Sequence, residues 1–299
     1  YSAADHTGEV VFMGSSVVGC AVIPDAVSDG LRQRGIDQDV YNLHFDAGLT
    51  PTYKTALRDL VLTNGKPRLF VLCISPRDLN DNSPRLEGYV QDFASLSDAL
   101  DIIGRDPWGR HHLIWPLLSR SSAGLTQTAG TWFMVRHKTG DSLARRGARW
   151  DYQDGSVEAA KRNLRLAGEL SEGRYQKRLE VSRELLDGYA TEDSEGFLDE
   201  AIAMAKTADI AVALCLFGYS DDAREAMADG YTAATERTLA GLAQKHDVAL
   251  WRTTVLWPPA RQRASYFDGV DHLTPEAAMT MSRALGEGPL ADLLLHPPK

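Results

Sequence analysis

The chain has 299 residues, 43% of them hydrophobic, enough for one large domain or two small ones. Its formal net charge of -9 argues against a general nucleic-acid binder, which is ordinarily basic. Its 3 cysteines (Cys20, Cys73 and Cys215) cannot all pair, lie in or beside apolar stretches and lack zinc-ligand spacing, so they read as buried thiols.

The first hundred residues alternate strand and helix signals. Residues 10–13 form a β-branched run that Gly14 and Ser15 stop, which reads as a buried strand ending in a tight turn. A helix over 24–34 follows, ended by Gly35, then a strand over 40–43. Pro51 opens a helix that runs to residue 64, with Gly65 after its end. Residues 69–74 are uniformly apolar, as expected of a strand covered on both faces. Residues 92–103 read as helical.

From 105 to 191 no strand pattern is present. Helical segments are expected near 157–170 and 174–189. Between 136 and 183 there are twelve Lys or Arg against seven Asp or Glu, an excess of five positive charges in an acidic chain. This shift predicts an inserted, basic helical subdomain over 105–191, either a solvated face or a lid. Trp108, Trp115, Trp132 and Trp150 fall in it and are expected to pack beneath it. His111-His112 are neighbours, which rarely converge on one ion, so they read as structural.

Alternation then resumes, with a helix over 195–206, a strand over 210–217 and a long helical stretch over 221–246 that weakens near Gly230. A last strand over 248–252 and a helix over 275–285, capped by Thr274, close the pattern. No apolar run approaches the roughly 18 residues of a membrane-spanning helix. The chain opens on Tyr1 rather than Met. A removed upstream segment, a signal peptide or an anchor, is therefore expected, which points to an extracytoplasmic setting with the cytoplasm as the alternative.

Five apolar strands separated by helices predict an α/β fold: a five-stranded parallel sheet with helices on both faces, flavodoxin-like and three-layered. Residues 1–104 and 192–299 would build it. In such sheets the site lies at the carboxyl ends of the strands. Ser16, Gly48, the stretch from Ser75 to Asn80, Gly218 and the loop before His272 all follow strands. A hydroxyl, an imidazole and a carboxylate gathered there are what nucleophilic acyl transfer requires.

These blocks resemble the SGNH (GDSL-like) hydrolase superfamily, particularly its bacterial esterase and O-acyltransferase branch. The likeness covers roughly residues 8–82 and 208–285. Gly14-Ser15-Ser16 stands in the place of Gly-Asp-Ser, which implies Ser16 as nucleophile, with its own backbone N–H in the oxyanion hole. Gly48, in Asp46-Ala47-Gly48-Leu49-Thr50-Pro51, matches the Gly whose N–H enters that hole. Cys73-Ile74-Ser75-Pro76-Arg77-Asp78-Leu79-Asn80-Asp81 occupies the place of Gly-x-Asn-Asp without its register. Asn80 restores Asn-Asp when slid three residues, and Arg77 is the alternative in direct alignment. His272, followed by Leu-Thr-Pro-Glu, matches the family base. The family spacing would put the acid at Gly269, so Asp268 is preferred and Asp271 is the alternative.

The resemblance implies a short acyl ester substrate, acetyl above all, carried on a saccharide or small molecule. It also allows a membrane-bound partner that supplies the acyl group. No metal or organic cofactor is implied. An inactive SGNH-fold module that binds glycan or a protein partner is the reading from another class.

Overall fold

The computed structural model describes residues 7–46, 48–92, 94–106, 110–114, 116–117, 171–227 and 230–296. Described residues up to 83 and from 171 onward belong to one compact unit, and those from 84 to 117 to a second. The division differs from the expected insertion over 105–191. The second unit begins earlier, and the helix Glu172–Leu186 belongs to the first because it packs on the turn after the third strand. The four tryptophans of the expected insertion and the helix near 157–170 lie outside the described residues.

The first unit is an α/β fold around a five-stranded, all-parallel sheet. Its strands are β1 (Val10–Ser15), β2 (Val40–Phe45), β3 (Leu69–Ile74), β4 (Ala211–Leu216) and β5 (Ala249–Arg252), in the order β2-β1-β3-β4-β5. Side chains alternate across each strand, and β1, β3 and β4 are covered on both faces, so nearly every position there is apolar, whereas the edge strands β2 and β5 are mostly half-buried. Val10 and Phe12 of β1, with Leu69, Val71 and Cys73 of β3, bury one face beneath the helices Pro24–Gln33 and Pro275–Leu285. Val11, Met13, Phe70, Leu72 and Ile74 bury the other beneath Glu192–Thr207 and Gly230–His246. Each such Val, Leu or Phe contributes roughly 1.5–3 kcal/mol. Cys73 and Cys215 sit opposite each other in β3 and β4 as buried free thiols.

This order changes direction between β1 and β3, and a crevice opens where two neighbouring crossovers leave on opposite faces. Chain leaving both strands turns at once into short helices, Ser16–Ala21 after β1 and Pro76–Leu79 after β3. Gly14 permits the first turn. A Cβ there would lie 2.3 Å from Val18 Cγ2 and 2.6 Å from the Cys73 carbonyl oxygen. No helix among the described residues is long and apolar enough to cross a membrane.

The second unit contains the helices Leu86–Asp92 and Leu96–Arg105. Ser95 caps the latter, accepting from Asp98 N–H at 3.1 Å while the Asp98 carboxylate accepts from Ser95 N–H at 3.2 Å. His111 and His112 lie in a following turn with their rings nearly perpendicular and their centroids 6.1 Å apart.

Candidate active site

The two ends of the chain meet at the carboxyl edge of β1. Ser16 is the first residue of its helix, where an α-helix leaves backbone N–H groups without an internal acceptor. Ser15 precedes it but does not cap it, because its hydroxyl donates instead to Asp78 Oδ2 at 3.2 Å. Asp78 also accepts the Ser75 N–H at 2.9 Å, so one buried carboxylate ties the ends of β1 and β3 together. Burial raises the Asp78 pKa, and the Arg77 guanidinium opposes that rise.

His272 comes from a loop closed on itself. Phe267 N–H donates to the His272 carbonyl, and Tyr266 and Leu273 form an antiparallel bridge. Asp268 Oδ1 accepts the N–H groups of Val270, Asp271 and His272 at 2.9, 3.1 and 3.2 Å. Gly269 has a φ of 77°, a left-handed conformation that favours glycine. This fold accommodates the extra residue between acid and base. Ser220 anchors the loop from the β4 side, its hydroxyl donating to the Gly269 carbonyl at 2.7 Å.

His272 Nε2 lies 3.1 Å from Ser16 Oγ. On the other side of the ring, Nδ1 lies 2.6 Å from Asp268 Oδ2 and 2.8 Å from Asp271 Oδ1. The sequence leads one to expect that an adjacent carboxylate diverges from the imidazole. Here the folded-back loop brings both Asp268 and Asp271 to the same nitrogen. Burial disfavours the charged imidazole, yet the Asp271 and Asp268 carboxylates outweigh it, and the His272 pKa is raised. Burial also works against the Asp271 carboxylate, but Arg178, Arg77 and His272 hold it well below the usual carboxylate range.

Arg77 is the fourth component. Its Nη2 donates to Ser16 Oγ at 2.9 Å, and its Nη1 pairs with Asp271 Oδ2 at 3.0 Å. Only 4% of Arg77 is exposed, so these charged bonds act where water competes little. Because a guanidinium can only donate, Ser16 Oγ accepts from it and the serine proton points to His272 Nε2. With the imidazole neutral and its proton on Nδ1, hydrogen bonding thus aims the Ser16 hydroxyl at the ring.

Two expected oxyanion groups are placed differently. The Gly48 N–H donates to the Phe45 carbonyl at 2.9 Å, closing a turn rather than facing Ser16. The Asn80 amide donates to the carbonyls of Leu185 and Asp187 at 2.9 and 3.1 Å, and its oxygen accepts from Asn82 and Ala190. Asp81 accepts the Asp193 and Ser194 N–H groups at 2.9 and 2.8 Å, at the start of the helix Glu192–Thr207. The slid Asn80-Asp81 register therefore anchors returning chain, and direct alignment at Arg77 is the one that reaches the serine. The residue that sequence reasoning missed is Arg178, which pairs with Asp268 and Asp271. Its signal was the local basic excess, too diffuse to single out one side chain.

Ligand atoms of Asp268, Asp271 and His272 all lie within 4.8 Å of one another, a spacing some cation sites share. Two guanidinium groups already hold these carboxylates, so the donor set fits a hydrogen-bonded charge cluster rather than a metal cage.

No protein-family model matches the chain, and no curated protein matches it. Among solved structures it is similar to the crystal structure of an acetyl xylan esterase, AlAXEase, with a TM-score of 0.42 and 12% identity over 93% of this chain and 97% of that one.

Proposed function

We propose that this protein is a serine esterase or O-acyltransferase of the SGNH type, working through an acyl-Ser16 intermediate. The observation that carries the reading is the unbroken relay from Ser16 Oγ through His272 to two buried carboxylates. His272 accepts the Ser16 proton as Oγ attacks the ester carbonyl carbon. The carbonyl oxygen takes up negative charge, which Arg77 Nη2 and the Ser16 N–H stabilise. Collapse expels the alcohol, which leaves with the proton held by His272. Water or a sugar hydroxyl then repeats the sequence on the acyl-serine, releasing acid or a new ester and regenerating Ser16. The substrate we propose is a short acyl ester, acetyl above all, on a saccharide or small molecule.

Neutral His272 is the active base, and its pKa is raised. Activity should therefore fall on acidification through a value above the roughly 6.5 of an ordinary imidazole. A pH–rate profile of 4-nitrophenyl acetate hydrolysis checks this. Fluorophosphonate labelling tests the core proposal. We expect an adduct on Ser16 that is lost in Ser16→Ala and weakened in His272→Ala. Absence of both labelling and hydrolysis would favour the binding-module reading. Turnover that rises with an added sugar acceptor would identify the transferase.

A further inference from the structure

Two carboxylates on one imidazole nitrogen repel each other, and that nitrogen offers a single proton for both. Buried like charges this close push a proton onto one of the pair unless cations are supplied. The fold supplies two. Arg77 comes from the turn after β3, and Arg178 comes from the helix Glu172–Leu186, which no sequence motif includes. Arg178 Nη2 donates to Asp271 Oδ1 and Oδ2 at 2.8 and 3.1 Å, while Nε lies 3.2 Å from Asp268 Oδ2. A planar fork can hold two carboxylates at once, whereas the compact ammonium of lysine cannot match it. Arg178 Nη2 also lies 3.3 Å from His272 Nδ1. Both are donors when Nδ1 is protonated, so that approach is a contact and not a bond.

The helix carrying Arg178 is fastened at both ends. Asn80 donates to carbonyls at its C-terminal end, where helices leave such groups unpaired. Near its start, the Arg263 guanidinium stacks 3.6 Å from the Tyr175 ring centre and donates to Glu172 at 2.7 Å.

We propose that Arg178 is a positioning residue, holding Asp268 and Asp271 side by side on His272 Nδ1, and that Asn80 fixes the helix that delivers it. This inference rests on the esterase reading. The charged groups facing His272 are Asp268 and Asp271 from its own loop, Arg77 and Asp78 from the turn after β3, and Arg178. Tyr53, Tyr219 and Tyr266 add phenols that burial keeps neutral. Formally these groups sum to one negative charge, which a protonated His272 cancels. Without Arg178 a second negative charge is uncompensated. His272 then keeps its proton to higher pH, so less of it is free to accept the Ser16 proton near neutrality.

The test compares Arg178→Gln and Arg178→Lys, both checked for folding by circular dichroism. Fluorophosphonate labelling of Ser16 is followed against pH, and His272 is titrated by NMR. In Arg178→Gln we expect labelling at neutral pH to slow by up to about 100-fold. The acid limb should rise by about one pH unit or more. Arg178→Lys should return the limb to the wild-type position without restoring the rate. The proposal is overturned if Arg178→Gln matches wild type, or if both variants lose the same fraction at every pH with the limb unmoved. Should the Gln variant fail to fold, the Lys variant decides: reduced kcat with unchanged KM supports the role, and wild-type turnover ends it. Labelling that persists in Ser16→Ala sinks the esterase reading instead. The NMR titration needs no turnover and still reports whether Arg178 governs the imidazole.

Discussion

The two walls of the candidate site are built on different plans. On one wall, the 266–273 loop satisfies itself: Asp268 collects three of the loop's own N–H groups, and His272 lands beside Ser16 as a consequence. On the other, the turn after β3 sets Arg77 between Asp271 of the distant loop and its own neighbour Asp78. The first wall is specified by adjacent residues. The second also depends on a partner far away in the chain, Asp271. A local wall should lose function when its own residues change, whereas a distributed wall should also fail when a remote partner does.

The largest effect is expected at the junction of the walls. Ser16→Ala should remove ester hydrolysis by several orders of magnitude, as loss of a nucleophile does elsewhere. Stopped assays alongside mass mapping of the fluorophosphonate adduct check this. If hydrolysis survives, both walls have been assigned to the wrong oxygen.

On the local wall, Asp268→Asn should cost more than Asp271→Asn, because Asp268 alone holds the loop as well as the imidazole. A loss in the range of roughly 10²–10⁴ is expected for Asp268→Asn. Asp271→Asn removes a negative charge from beside His272, so its acid limb should move to lower pH. Steady-state pH profiles of the two variants measure both effects, and identical profiles would erase the distinction between the carboxylates.

On the distributed wall, Arg77→Lys keeps the charge and loses the fork. It should lower kcat by roughly 10²–10³, the scale of one lost oxyanion donor, with little change in KM. A wild-type kcat would move the oxyanion site away from this turn. The smallest effect is structural. Gly14→Ala sets a Cβ against Val18 and the Cys73 carbonyl, and should destabilise the fold by about 1–3 kcal/mol. Urea denaturation measures it.

The same contrast explains what the sequence made legible. All five strands were readable: β1, β3 and β4 because a strand buried on both faces is apolar at nearly every position, and the half-buried edge strands β2 and β5 from short apolar stretches between helical segments. The strand over 69–74 and the helix over 275–285 agree with the structure at both ends. The helical stretch over 221–246 is two helices, Asp221–Met227 and Gly230–His246. The places of Ser16 and His272 in the fold were readable because local signals flank them, a strand-ending Gly before the one and a Pro-started helix after the other. Asp271 was harder, since its approach to Nδ1 depends on the left-handed Gly269 and on two arginines. Asn80 and Gly48 were assigned by position in a motif. Whether an N–H group is free or already bonded depends on neighbours no short motif contains: Phe45 for one, Leu185 and Asp187 for the other. Arg178 had only the diffuse basic excess over 136–183 as a signal, which marks no single side chain.

Ser16 and His272 are separated by 256 positions in the chain, and nothing short-range brings them together. On the proposed mechanism, a nascent or truncated polypeptide that stops before residue 266 would carry the serine without its base, an inert hydroxyl. On that mechanism, reactivity would switch on only once the loop after β5 docks, and labelling of Ser16 would then gauge completed folding.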